Sequence, residues 1–260
     1  MDNTSSNDTM MVALEALLTR EGIPFHHEGN RIREEEHARH RAYADTLASD
    51  PVQKVRDLVT ALRQSGQRRN ELHQFIVDGV ASGRWKDHPQ GWQIKPLQLL
   101  RDCETRWSST FLMIDRVLLL YPAISDFLAH PSRADLARYL LTPNQLAVLT
   151  HIHQVFEVSH QAQQLVSSEK TPTLSLVLPA YELLIDSWRT LCQQYPELAP
   201  YISLGIAKVE EYINKSRRSR IYALAMAVNP MMKLSWITEQ WSEDEHMSAR
   251  DWVIDALVHM

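Results

Sequence analysis

Apolar side chains recur at helical spacing along most of this chain. In "TMMVALEALLTREG", Met10, Leu14, Leu17 and Leu18 fall three or four apart, after a cap-rich "DNTSSND" and before Gly22, so a helix is expected there. From Asp50 to Val80 an Asp-Pro start leads into Val55, Leu58, Val59 and Leu62 on one face, which predicts one long or two short helices. Phe111, Ile114, Val117 and Leu118 open another helix from about Ser108, with a break expected at Pro122 before "PAISDFLAH". Leu146, Leu149, Ile152 and Phe156 follow a Thr142-Pro143 start. Leu174, Leu178, Tyr181, Ile185, Trp188 and Leu191, and then Ile202, Ile206, Val209 and Ile213, keep close to the 3.6-residue period. Helices this long need partners for their apolar stripes, so most of the chain is expected to be a helical bundle, and the fold class mainly α.

Three stretches depart from the pattern. The second half of "IPFHHEGNRIREEEHARHRAYADTL" carries charge on every face and leaves little apolar surface to bury. "ASGRWKDHPQGWQIKP" holds Gly and Pro breakers with two Trp, and reads as an ordered loop where a domain boundary could fall. The candidate strands are residues 23–25, 97–101 and 221–228. No internal repeat or low-complexity tract interrupts the series.

Composition narrows the function classes. Of the 260 residues only seven are Gly and 44% are hydrophobic, which favours helices and a real core over a turn-rich sheet. The formal net charge is -5, so no global positive field draws the chain to nucleic acid, and phosphate contacts must come from a local patch. Cys103 and Cys192 are the only cysteines and form no metal-binding spacing, which fits a reducing, intracellular setting. The first ten residues have neither the basic nor the apolar region of a signal peptide, and no run approaches the ~20 apolar residues of a membrane span.

Few groupings carry chemistry. Asp2 and Asp8 are candidate ligands for a hard cation, and also plain helix-start residues. His37 and His40 stand three apart near His26 and His27, but no cysteine or HExxH pattern accompanies them. His151 and His153, two apart, point to different helix faces. Cations cluster at Arg63, Arg68 and Arg69, where a phosphate backbone could be neutralised, and in "KSRRSR", residues 215–220, where decoration of a helix C-terminus is the simpler reading. Trp85, Trp92, Trp188, Trp236, Trp241 and Trp252 are most simply core or half-buried aromatics. Trp107 differs: Arg106 precedes it and "SST" follows, so a cation, a stacking ring and free N–H groups would sit together, as a phosphate and a splayed base require. A buried Trp with a salt-bridged Arg is the alternative.

"DNTSSNDTMMVALEALLTREGIPFHHEGNRIR", "KVRDLVTALRQSGQRRNELHQF", "CETRWSSTFLMIDRVLLLYPAI" and "YALAMAVNPMMKLSWI" resemble, in that order, the middle and later part of a hAT-superfamily transposase, from Asp2 to about Trp241. The resemblance implies an RNase H-like α/β core with three metal-binding carboxylates, interrupted by a helical insertion domain. It divides the chain into a partial core segment (1–50), the insertion domain (51–220) and a truncated return to the core (221–260). By resemblance Asp2 is the second catalytic and metal-binding acid, and Arg106 and Trp107 are the pair whose Trp stabilises a flipped base when flanking DNA forms a hairpin. Arg63, Arg68 and Arg69 would add DNA contacts.

Departures from the family pattern shape the expectation. Glu34 and His37 stand where the family has Cys-x-x-His, so the Cys is lost, and the apolar helix expected next is replaced by Ala38, Arg39, His40 and Arg41. The strand for the first acid and the zinc-finger-like module are expected to be missing, and only Glu243 and Glu245 are candidates for the third acid. The expected function is therefore a truncated, catalytically inactive transposase remnant with residual nucleic-acid binding and no cofactor of its own. A complete parent would use Mg2+ or Mn2+, act on transposon ends, form homo-oligomers through regions missing here and work in the nucleus; no membrane role is implied. A helical protein-interaction module without DNA binding, and an active enzyme if a clipped gene model hides the rest, stand as alternatives.

Overall fold

The structure is a computed structural model that describes residue 12 and residues 27–88, 94–103, 105–167 and 172–259, with backbone alone at 27–36. The chain divides into two compact units, Met1–Asp50 and Pro51–Met260. In the first, α1 (His27–Ala48) is a 22-residue helix in which His37 and His40 are exposed. It ends where Ser49 bonds back to Asp45 and Thr46, and Asp50 turns the chain at φ 50°.

The second unit begins with α2 (Pro51–Leu62), where proline supplies a ready helical φ and lacks the N–H that a first turn leaves unbonded anyway. Its Val55, Leu58, Val59 and Leu62 are buried as the spacing predicts. A short turn follows, and Ser65 caps α3 (Gly66–Ser82) by accepting from the Arg68 N–H, so residues 50–80 form two helices. Gly83 closes α3 at φ 68°, a left-handed conformation that a Cβ would strain. Trp85 then folds back against Gly79, and its indole N–H donates to Asp126 at 2.8 Å. Trp85, Ile94 and Leu99 all join the first core, so this breaker-rich segment is no boundary.

The next helix, α4 (Trp107–Leu128), runs straight through Pro122. The expected break does not occur, and magnitudes say why. A proline inside a helix costs about 3 kcal/mol. The turn beyond it buries Ile124, Phe127 and Leu128 completely or nearly so, each contributing about 1.5–3 kcal/mol. A 3-10 segment (Pro131–Tyr139) leads to α5 (Pro143–Val166), which opens on a full capping box between Thr142 and Gln145. The Tyr121 hydroxyl bonds both the Leu141 carbonyl and its N–H, at 2.8 and 2.9 Å, fixing this connection to α4. Helices α2 to α5 thus enclose one core around Leu62, Ile76, Ile114, Ile124 and Phe127.

A short 3-10 turn (Leu174–Leu176) precedes α6 (Val177–Gln194) and α7 (Ala199–Arg217), and the chain finishes with α8 (Arg220–Val228), α9 (Ser235–Gln240) and α10 (Glu243–Val258). They surround a second core of Leu178, Ile185, Ile213, Ala223, Met226, Ile237, Trp241 and Ala249. Residues 221–228, expected as a strand, are helical. "IYALAMAV" is rich in Ala, Leu and Met, strong helix formers, and buries Ala223 and Met226 three apart on one face. Residues 97–101 form no strand with any described residue, and residues 23–25 lie outside the described residues. Among the described residues there is no strand, so the mainly α architecture is observed and the attached α/β core is not.

Candidate nucleic-acid interface

The start of α4 is built from the loop in front of it. Asp102 accepts from the Arg56 Nε at 2.7 Å and from the Thr110 hydroxyl at 3.1 Å, tying the loop to both α2 and α4. The Ser109 hydroxyl accepts from the Cys103 N–H at 2.8 Å and faces the Cys103 and Arg106 carbonyls. Ser109 and Thr110 are therefore structural: they hold the loop closed, with Arg106 and Trp107 exposed within it. Arg106 occupies the cap position in an extended conformation, and no side chain caps the helix. An uncapped N-terminus keeps unbonded N–H groups and a partial positive charge. Arg106 is exposed and its guanidinium has no ion pair among the described residues. Trp107, the first residue of α4, is 41% exposed, whereas Trp85 and Trp241 are buried and Trp188, Trp236 and Trp252 half-buried. Trp92 lies outside the described residues. The Cys103 thiol, exposed nearby, is held below its usual range, first by hydrogen bonds from Thr105 and then by the Arg106 charge.

The cations of the α2–α3 turn divide by their partners. Arg68 is committed: it donates to the Ala61 carbonyl at 3.0 Å and to Gln64 at 3.1 Å, and reaches Asp135 at 3.5 Å. Arg63 donates to the Leu99 carbonyl and keeps the rest of its guanidinium toward a cleft that Arg69 also lines. Arg101, which no spacing in the sequence connects to this turn, donates to the Arg63 carbonyl at 3.4 Å from 38 residues away. Burial first, and then the charges of Arg101 and Arg69, push Arg63 below the usual arginine value.

The remaining candidates do not converge. Asp2, Asp8 and His26 lie outside the described residues, and Glu34 and the backbone of His27 belong to α1. His153 bonds Asp115 at 3.0 Å and stacks on Phe111, while His151 stacks on Tyr195 at 4.0 Å. Glu245 serves the capping box of α10 with Ser242 and pairs with Arg217, which also pairs with Glu182 at 3.1 Å. Lys215 pairs with Glu211, so much of the 215–220 run decorates a helix end as its simpler reading has it. Glu243 sits in the first turn of α10, where its charge suits the helix dipole. Among the described residues no three His, Cys, Asp or Glu side chains gather to hold a metal ion. Asp2, the acid that the resemblance gives as metal-binding, lies outside the described residues, and no step is derived through a metal. No described helix is long and apolar enough to cross a membrane.

Residues 44–155 match the family model described as the ZBED1 RNase-like helical domain. The matched stretch runs from the end of α1 into α5 and contains the Arg106–Trp107 pair and all the arginines of the α2–α3 turn. Over this stretch the chain is similar to a hAT-related helical domain. Comparisons with curated proteins and with solved structures give no match.

Proposed function

We propose that this chain is a hAT-type, transposase-derived protein that holds DNA at the start of α4. One observation carries the reading: among the described residues of the family-matched stretch, an exposed tryptophan ring stands on an uncapped helix N-terminus beside an exposed arginine. An indole there can stack on an unpaired or flipped base, while Arg106 and the helix N–H groups take the adjoining phosphate. The role assigned is holding DNA; no cutting step is assigned to this chain. Action on transposon ends, homo-oligomerisation and a nuclear location belong to the same reading.

The test is binding of the full chain to a labelled DNA hairpin carrying one unpaired base, followed by fluorescence anisotropy. Losing one base-stacking contact costs about 1–3 kcal/mol, so Trp107→Ala should weaken binding by roughly 5- to 150-fold. Unchanged affinity for the hairpin would remove the proposal. A second reading, a helical interaction module without DNA binding, is favoured by the apolar side chains exposed on α7, α8 and α10, with Leu204, Val228 and Val258 each more than 70% exposed. It would take over if the full chain bound neither the hairpin nor plain duplex DNA.

A further inference from the structure

Where the end of α2, the first two turns of α3 and the segment 97–99 meet, the surface forms a shallow, open cleft. Its floor is apolar, with Leu62, Leu72 and Leu99 buried. Its rim is cationic: Arg63 and Arg69 line it, and Arg101 is bound to the Arg63 backbone beside it. The Nδ1 of His73, another wall residue, is buried with no hydrogen-bond partner.

The acids that could neutralise this rim are engaged elsewhere. Asp102 holds Arg56, Asp135 faces Arg68, and Glu71 accepts from Gln67. Among the described residues no carboxylate forms an ion pair with Arg63, Arg69 or Arg101. Three guanidinium groups gathered without a counter-charge repel one another; Arg63 is lowered first by its burial and then by the charges of Arg101 and Arg69. Folding maintains such a cluster at a cost that a bound anion would reverse.

We infer that Arg63, Arg69 and Arg101 form a phosphate-binding site that takes a backbone phosphate of the same DNA whose base stacks on Trp107. Planar guanidinium forks match phosphate oxygens bidentately, which suits this rim better than it suits a single carboxylate. Reach supports a shared strand: Arg101 and Arg106 are five residues apart, so their Cα atoms stand at most about 18 Å from one another. That distance is on the order of five base-pair rises along the axis of a duplex. The inference rests on the proposed DNA reading and extends its footprint from one base to a run of backbone. It also selects among the arginines, with Arg101 in the site and Arg68 outside it.

The test uses the full chain with Arg69→Gln and Arg101→Gln, both exposed positions, and Lys54→Gln on α2 as a charge-matched control. Binding to the hairpin and to plain duplex is followed across a salt series. Each arginine variant should weaken both DNAs alike and lower the slope of log K against log salt by about 1, with Lys54→Gln unchanged. If the arginine variants match the parent at every salt concentration while Trp107→Ala loses the hairpin, the phosphate site falls and the stacking reading survives. If they weaken binding while Trp107→Ala does not, the site stands and the stacking reading falls. Melting in inorganic phosphate against chloride at equal ionic strength separates the sources. A phosphate stabilisation lost in Arg69→Gln and Arg101→Gln, with DNA binding intact, assigns the cleft to free phosphate and overturns the DNA assignment.

Discussion

Two glycines of one helix show how context sets the sign of a substitution. Alanine at either position gains helix propensity and reduces the freedom of the unfolded chain, a stabilisation of about 0.4–1 kcal/mol. At Gly66, in the first turn of α3, a new Cβ meets nothing within 4 Å, so Gly66→Ala should raise the melting temperature. At Gly79 the Cβ would enter the Trp85 ring, which its bond to Asp126 and its packing against Phe75 prevent from yielding. Overpacking costs about 1–3 kcal/mol and outweighs the gain, so Gly79→Ala should lower the melting temperature by several degrees. Thermal melts followed by circular dichroism check both, and a rise for Gly79→Ala would show that Trp85 is loosely held. The sequence told neither case, because Trp85 reaches Asp126 across 41 residues. The arginines failed to be legible for the same reason. Arg63, Arg68 and Arg69 look alike in sequence, and remote partners tell them apart: Asp135 faces Arg68, while the Leu99 carbonyl and Arg101 lie against Arg63.

At the scale of elements the apolar period was legible wherever one face is buried and the other solvated, as in α2, α5 and α7. It failed where the run was apolar all round: residues 221–228 give a strand and a buried helix equal claim until their neighbours are known. It failed at Pro122 too, because the stabilisation that carries α4 past the proline comes from other helices. The charged faces yield a prediction of their own. On α7, Glu211 accepts from Lys208 at 2.7 Å and also from Lys215, and these bonds lower its carboxyl to about 2. A carboxyl depressed in the folded state favours folding above its unfolded value, near 4.5, and loses that contribution as pH falls toward 2. The group is fully exposed, so the effect is small and weakens with salt. A carboxyl titration by NMR should place Glu211 well below the other exposed acids, and Lys208→Gln should bring it back up. A midpoint near 4.5 in the parent would mean that these pairs do not form in solution.

The second unit packs as one body of backbone, yet its apolar side chains form two cores that share no residue. Val148 of α5 and Ala180 and Leu184 of α6 are buried outside both cores, and polar contacts link the two helices beside them. Trp188 donates to the Val155 carbonyl at 3.2 Å, the Tyr195 hydroxyl bonds Gln154, and the His151 ring lies over that of Tyr195. Tyr195 is buried and its partners are half-buried; such polar and aromatic contacts resist opening less than a continuous apolar interior does. The smaller core around Met226 should therefore open without the larger one. Met226→Ala, at a fully buried site, removes about 2–5 kcal/mol. Native-state hydrogen exchange should show that loss in α6 to α10 and leave α2 to α4 at the protection of the parent. Ile124→Ala, equally buried in the first core, should speed exchange in α2 to α5. Equal losses of protection throughout both variants would mean that the two cores unfold as one. The outcome bears on function because the proposed DNA contacts, Arg63, Arg69, Arg101, Arg106 and Trp107, all rest on the larger core. A smaller core that opens independently leaves that surface intact, so Met226→Ala should retain hairpin binding under conditions where its last three helices already exchange freely.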